Sequence, residues 1–401
     1  MQTKLASNYK ERRDMQEAEA VLRKCVHCGF CTATCPTYQL IGDELDGPRG
    51  RIYLIKQILE GAKPTITSRT HLDRCLTCLA CETTCPSGVE YSKLLEAGRT
   101  LHAEQLERPA RENAYRYMLR KIITVPDRFR LLLSLGHTFK FVLPASLKAK
   151  LPLLPAQQDA TAKHPHERTV ILLRGCAQQV TAPQINNAAE SAFNALGIST
   201  VTADDGCCGA MSHHLDAGSE ALAMARHNID TWWPLIEKGA EAIVVTASGC
   251  ATMVHDYGRL LADDPDYAKR AARVSTLCRD PVELIEQTPG ILKQKTGMPH
   301  RIAYHAPCTQ QHGLKIHERV ERQLAMAGYQ LIPHRDGHLC CGSAGAYSLL
   351  QPKISSQLKQ NKLDRLQEKK PEMIATANIG CLMHLQSGTE TPVRHWLELL
   401  E

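Results

Sequence analysis

The chemistry of this chain is carried by cysteine, which accounts for 17 of its 401 residues. Eight of them fall into two runs of the same form. Cys25, Cys28, Cys31, Cys35 and Pro36 spell C-x2-C-x2-C-x3-C-P, and Cys75, Cys78, Cys81, Cys85 and Pro86 spell it again. Cysteines three apart on a short loop wrap three corners of a [4Fe–4S] cube, and the fourth cysteine of such a run ligates the other cluster. The proline that follows turns the chain away, because its ring cannot continue a hydrogen-bonded turn. The spacing therefore predicts one cluster on Cys25, Cys28, Cys31 and Cys85, and a second on Cys75, Cys78, Cys81 and Cys35. Zinc is the lesser reading, since it favours two C-x2-C pairs with a longer spacer and needs no third cysteine at the next step. Two clusters with interleaved ligands lie close together, which suits passage of single electrons.

The elements that hold these loops follow from the pattern around them. Between the runs, Asp46-Gly47-Pro48-Arg49-Gly50-Arg51 precedes Ile52, Leu54, Ile55, Ile58 and Leu59, a helical spacing with Gly and Pro at its start. A guanidinium beside a reduced cluster would favour the added negative charge. An exposed or partner-facing arginine is nevertheless the preferred reading for both Arg49 and Arg51. Arg99 to Lys150 lacks cysteine and carries eleven Lys/Arg against four Asp/Glu, beside Phe129, Leu131 to Leu133, Phe139, Phe141 and Val142. Contact with a partner subunit is expected there first, and an anionic membrane surface second. Pro152 to His166 reads as a linker.

The C-terminal half holds an internal repeat. Cys176 recurs as Cys308, Cys207-Cys208-Gly209 as Cys340-Cys341-Gly342, and Cys250 as Cys381, at shifts of 131 to 133 residues. Thr169 to Leu173, Ala242 to Thr246, Arg301 to His305 and Met373 to Ala377 are β-prone, each with a cysteine within about five residues. Gly197 to Val201 and Gly328 to Ile332 are strand-like too. Helical stretches such as Ala217 to Lys238 and Lys353 to Glu368 alternate with them, implying parallel βαβ units. In such sheets the loops at the carboxyl ends of the strands form the ligand crevice. Cys176, Cys207, Cys208 and Cys250, and Cys308, Cys340, Cys341 and Cys381, are therefore candidates for further cluster ligands. Cys278 fits neither repeat, lies on a helical stretch and is read as core. His213, His214, His305 and His384 lie near these loops, and hydrogen-bonded structural histidines are the preferred reading over proton carriers or outer ligands.

Composition narrows the class. Apolar residues make up 43%, charged residues 22% and aromatics 5%, with a net charge of +6. This is an ordinary folding chain with neither the base-stacking surface nor the charge expected for nucleic acid. No apolar run reaches the ~20 residues of a membrane span, and Met1 to Arg23 reads as an amphipathic helix, not an export signal. The expected location is cytoplasmic, with peripheral attachment to the cytoplasmic face of the inner membrane as the second option. There thiols stay reduced, which favours metal ligands over disulfides. No G-x-G-x-x-G, Walker loop, G-x-S-x-G or H-E-x-x-H occurs, so no flavin or nicotinamide is expected on this chain.

The paired runs, Gly47-Pro48-Arg49-Gly50-Arg51-Ile52 between them, and the two Cys-Cys-Gly units resemble the iron–sulfur subunits of glycolate oxidases (glycolate dehydrogenases). The resemblance spans essentially the whole chain, including Thr246-Ala247-Ser248-Gly249-Cys250 and Thr376-Ala377-Asn378-Ile379-Gly380-Cys381. The wider family includes cluster subunits of glycerol-3-phosphate dehydrogenase, lactate-utilisation proteins and the Cys-Cys-Gly subunit of heterodisulfide reductase. The resemblance implies an electron relay. A FAD-containing partner oxidises glycolate to glyoxylate, with D-lactate as a second substrate, and this chain passes the electrons to a quinone-type acceptor without a catalytic residue of its own. In the heterodisulfide reductase branch each unit ends in C-x2-C; here Ala247 and Asn378 replace the first cysteine of that pair. This departure argues against the runner-up, a catalytic reductase of the heterodisulfide type. The cluster subunit of a lactate or glycerol-3-phosphate dehydrogenase is the other alternative.

The expected architecture is α+β and multidomain. A helical two-cluster ferredoxin-type domain spans 1–98 and a basic helical connector with its linker 99–167. Two α/β Cys-Cys-Gly repeats follow, at 168–290 and 291–401. The expected cofactors are two [4Fe–4S] clusters, with one or two more in the repeats.

Overall fold

The computed structural model describes residues 1–142 and 166–401. Its N-terminal part is helical: α1 (Arg13–Lys24), α2 (Pro36–Ile41), α3 (Pro48–Leu59), α4 (Ile66–Asp73), α5 (Ala80–Thr83) and α6 (Tyr91–Gln105). The Gly-Pro-Arg-Gly-Arg stretch opens α3 with Gly47 at the N-cap and Pro48 in the first turn. There the missing N–H costs nothing, because the first helical N–H groups have no partner within the helix. Met15 and Leu22 of α1, Ile55 and Leu59 of α3, and Leu94 and Leu101 of α6 close one core. Cys25 and Cys81 join that core at its edge, so packing of three amphipathic helices places both cysteine loops.

The basic segment continues as α7 (Ala110–Ile123) and α8 (Pro126–Thr138). Leu131, Leu132, Leu135, Phe139 and Phe141 are exposed along and just beyond α8. The rest of that segment and nearly all of the expected linker, 152–165, lie outside the described residues.

The C-terminal half forms two four-stranded parallel sheets. The first has the order β2-β1-β3-β4, with β1 Arg168–Leu173, β2 Ile198–Val201, β3 Ala242–Val245 and β4 Cys278–Arg279. The second repeats it as β6-β5-β7-β8, with β5 Arg301–His305, β6 Gln330–Leu331, β7 Met373–Thr376 and β8 Val393–His395. Both faces of each sheet are covered, as parallel sheets require. Val170, Leu172 and Val244 of the first sheet share one core with Ile302, Tyr304 and Ala375 of the second. Ile171, Leu173, Ile243 and Val245 point the other way, onto the helices Gly218–Glu237 and Ala268–Leu277. The doubled α/β architecture behind a helical N-terminal part is as the sequence implies.

Cys278 corrects one expectation. It is core, fully buried, but it lies on β4 and not on a helix. The helical signal there belongs to Ala268–Leu277, which ends one residue earlier.

Candidate metal centres

Each N-terminal cysteine loop winds in the same unusual way. His27 and Thr77, one residue before the second cysteine of their runs, both take positive φ, as do Gly29 and Leu79, one residue after it. Non-glycine residues adopt this conformation rarely, and only where the surroundings enforce it. Here it curls each backbone so that its sulfurs face a common space. Cys25, Cys28, Cys31 and Cys85 line one cavity. Cys35, Cys75, Cys78 and Cys81 line another. Each cavity is thus lined by three cysteines of one run together with cysteine from the other. Cys81, Pro48 and Tyr91 border both.

The surroundings suit an anionic group held by buried thiolates. Burial pushes the Cys31 thiol up to about 11 and raises the Cys78 and Cys81 thiols well above their usual range. Such thiols stay protonated unless a metal cation supplies the opposing charge. Four cysteine sulfurs converging on one space fit a cluster. Several donors point at the sulfurs. Thr77 N–H lies 3.4 Å and the Tyr91 hydroxyl 3.9 Å from the Cys75 sulfur.

Arg51 corrects a second expectation. It is not solvated but 1% exposed. Its Nε donates to the His71 carbonyl at 2.7 Å, and Nη1 lies 3.2 Å from Thr37 Oγ1 and 4.0 Å from the Cys35 sulfur. Nη2 faces the buried Asp46 carboxylate at 3.4 Å, which also accepts from Arg74 at 2.8 Å and meets His71 Nδ1 at 3.1 Å. Arg49, by contrast, is partly exposed, pairs with Glu44 at 2.6 Å and borders the first cavity. Asp46, His71, Arg74 and Tyr91 were not legible as site residues. Each is brought in by helix packing, and only the neighbourhood of Asp46 to the Gly-Pro-Arg motif hinted at one of them.

The repeat cysteines converge as well. The Cys176 and Cys207 sulfurs lie 3.3 Å apart, Cys207 contacts Cys208, and Cys208 contacts Cys250. In the second repeat Cys308 and Cys340 lie 3.9 Å apart, Cys340 contacts Cys341, and Cys341 contacts Cys381. Cys176 and Cys308 follow β1 and β5, the Cys-Cys pairs lie in the loops after β2 and β6, and Cys250 and Cys381 fall in the helices after β3 and β7. Cys250 and Cys381 fall in the first turns of the helices Ser248–His255 and Ile379–Gln386, where the positive end of the helix dipole favours a thiolate. The glycine of each Cys-Cys-Gly is required by geometry. Gly209 and Gly342 have φ of +91° and +89°, and a Cβ on Gly342 would lie 2.7 Å from the Ser355 carbonyl oxygen. The second repeat also touches the N-terminal part: Cys78 packs with Cys340, Tyr347 and Leu358, with Cys308 alongside.

The four histidines separate. His384 Nε2 meets Ser355 Oγ at 3.2 Å, the expected structural arrangement. His213 Nε2 lies 3.6 Å from Glu96, across from the N-terminal helices. His214 is held neutral, its pKa pushed down to about 3 by burial and by His213 and Arg99. His305 departs from the structural reading: both ring nitrogens are buried without a hydrogen-bond partner, and burial lowers its pKa well below the usual value.

Comparison with known proteins places this arrangement. A 4Fe-4S dicluster domain model matches residues 21–89, and a cysteine-rich domain model matches 170–255 and 302–386. The glycolate oxidase iron-sulfur subunit of Escherichia coli (strain K12) is 49% identical over 100% of this chain and 98% of its own length. This chain belongs to that subunit's family. A probable glycolate oxidase iron-sulfur subunit of Bacillus subtilis is 29% identical over 96% of this chain and 92% of its own. Lactate utilization protein A of an Exiguobacterium strain is 28% identical over 58% of this chain and 96% of its own. Among solved structures, a hypothetical protein from Helicobacter pylori covers 97% of this chain and 74% of its own with a TM-score of 0.58 at 9% identity, a likeness of fold alone. Like the family's two domain types, the described cavities call for iron–sulfur clusters. No helix among the described residues is long and apolar enough to cross a membrane.

Proposed function

We propose that this chain is the iron–sulfur electron-transfer subunit of a glycolate oxidase complex. A FAD-bearing partner oxidises glycolate to glyoxylate, with D-lactate as a related substrate, and this chain carries the electrons onward to a quinone-type acceptor. The observation that supports this best is the pair of cysteine cavities with a common wall, the second of which backs onto the second repeat through Cys78 and Cys340. When bound, [4Fe–4S] clusters accept and release one electron at a time, whereas oxidation of a 2-hydroxy acid delivers two, so a flavin on the partner serves as converter.

Within this reading Cys25, Cys28, Cys31 and Cys85 hold one cluster and Cys75, Cys78, Cys81 and Cys35 the other. Cys176, Cys207, Cys208 and Cys250 are assigned a further one. Arg51 and the Thr77 N–H stabilise negative charge on the sulfurs, and Tyr91 and Pro48 exclude water between the two cavities. The segments 1–98, 99–167, 168–290 and 291–401 are taken as its working units. The basic connector, with its exposed apolar residues on α8, is assigned to the flavin partner first and to the cytoplasmic membrane surface second.

The test uses the anaerobically purified chain and its flavoprotein partner. Alone, the chain should be brown, contain at least eight iron and eight sulfide, and leave glycolate unchanged. With the flavoprotein, glycolate should bleach its absorption. Turnover of glycolate by the isolated chain, or failure of glycolate to reduce it in the complex, would overturn the proposal.

A further inference from the structure

The two repeats differ at the point where their cysteines converge. Counting from the first cysteine of each unit, His305 occupies the place of Leu173, since each lies three residues before Cys308 and Cys176 respectively. The strands agree. Leu173 ends β1 opposite Val245, and His305 ends β5 opposite Thr376. The second repeat thus buries an imidazole and a hydroxyl where the first has two aliphatic side chains.

Neither polar group is satisfied by protein. Both His305 ring nitrogens and Thr376 Oγ1 are buried without a hydrogen-bond partner, and His305 is only 1% exposed. Leaving a buried polar group unpaired is destabilising, so this pair of groups calls for a partner other than protein. A ring nitrogen of His305 lies within 4.8 Å of both the Cys341 and Cys381 sulfurs, which lie within the same distance of one another. Donors on a single metal ion with bonds of roughly 2.0 Å to nitrogen and 2.3 Å to sulfur are separated by about 3.5–4 Å. The triad is therefore close to the size of one ion's coordination shell. Thiolates on different corners of a cube are farther apart.

Charge supports the same reading. Lys362 lies 21 residues after Cys341, the position held by Ile229 after Cys208. It is buried, with Nζ donating to the Asp336 and Gly337 carbonyls at 3.0 Å each. A buried ammonium, absent from the first repeat, balances an anionic thiolate centre at this end of the second sheet.

We propose that His305 is a nitrogen ligand to a metal centre in the second repeat, completing with Cys341 and Cys381 an imidazole–thiolate site that the first repeat lacks. This rests on the reading of the repeats as metal-bearing. The donor set and its size suit a single ion, Zn2+ or a mononuclear iron.

The experiment takes the full-length chain purified anaerobically as wild type, His305→Leu and His305→Cys. Iron, sulfide and zinc are counted per chain, and the eight irons of the N-terminal clusters report folding of each variant. Zinc K-edge absorption reads nitrogen neighbours if the extra metal is zinc. Electron spin-echo envelope modulation, with 15N-histidine labelling, reads nitrogen coupling if it is iron. The expected result is one imidazole nitrogen on the extra centre in wild type. That signal should vanish in His305→Cys with the metal retained, and the metal itself should be lost or fall severalfold in His305→Leu. An extra centre with sulfur ligands alone, or a nitrogen signal unchanged in His305→Cys, would overturn the assignment of His305. Absence of any metal beyond the eight irons would overturn both this proposal and the reading of the repeats beneath it.

Discussion

Replacing Arg51 by Gln removes a buried positive charge whose Nη1 lies 4.0 Å from the Cys35 sulfur. Two unit charges 4 Å apart interact by about 4 kcal/mol at an effective dielectric of roughly 20. An electron added to a cluster is shared among four thiolates and the core, so on the order of a quarter of this, ~1 kcal/mol, is felt through that one sulfur. For a one-electron couple about 59 mV corresponds to a factor of ten, or ~1.4 kcal/mol, so Cys35 alone accounts for about 40 mV. With the more distant sulfurs included, the potential of the cluster on Cys35, Cys75, Cys78 and Cys81 should fall by roughly 40–100 mV. It falls because reduction loses its compensating charge. Asp46 does not offset the change, since Arg74 at 2.8 Å and His71 at 3.1 Å still hold it. Arg51→Lys should move the potential less than half as far. The assay is an anaerobic redox titration followed by electron paramagnetic resonance. Breaking a buried ion pair costs about 3–5 kcal/mol, so iron and sulfide are counted in each variant to separate a lost cluster from a shifted one. A shift below about 15 mV with full iron content, or a shift upward, would refute the electrostatic argument.

Other consequences are simpler to read. A Cβ on Gly50 would lie 2.2 Å from the Glu44 carbonyl oxygen, so Gly50→Ala should cost about 3 kcal/mol in denaturant unfolding; wild-type stability would show that the turn before α3 yields freely. Cys278→Ala should leave iron and sulfide unchanged and cost about 1 kcal/mol from a small cavity, whereas any loss of iron would assign Cys278 to a centre. Burial pushes the Asp280 carboxyl up to about 7. A raised carboxyl pKa contributes stability below the unfolded value near 3.9, and that contribution is lost as pH rises through 7. Asp280→Asn should therefore flatten the decline in stability measured between pH 5 and 8, and an unchanged slope would remove Asp280 as its source.

What could be seen in the chain before folding was whatever repeats. The two cysteine runs have a fixed spacing, and the expected exchange of the fourth cysteine follows from it; each cavity is lined by cysteines of both runs. The strands ending at Leu173, Val245, His305 and Thr376 are apolar runs bounded by turn residues, which is a local signal. β4 and β8, of two and three residues, are too short to show any period. Cys278 reads as helical because the helix before it runs up to its very edge. The burial of Arg51 is hidden for a different reason. Its burial depends on His71 on α4 and on Asp46, five residues away across a helix start, and an arginine in a polar segment carries no mark of either. His305 combines both cases. It lies at the end of a correctly placed strand, yet its meaning appears only when Cys341 and Cys381 arrive from 36 and 76 residues later in the chain. The sequence shows what the two repeats have in common; the function each can perform turns on the few buried positions where they differ.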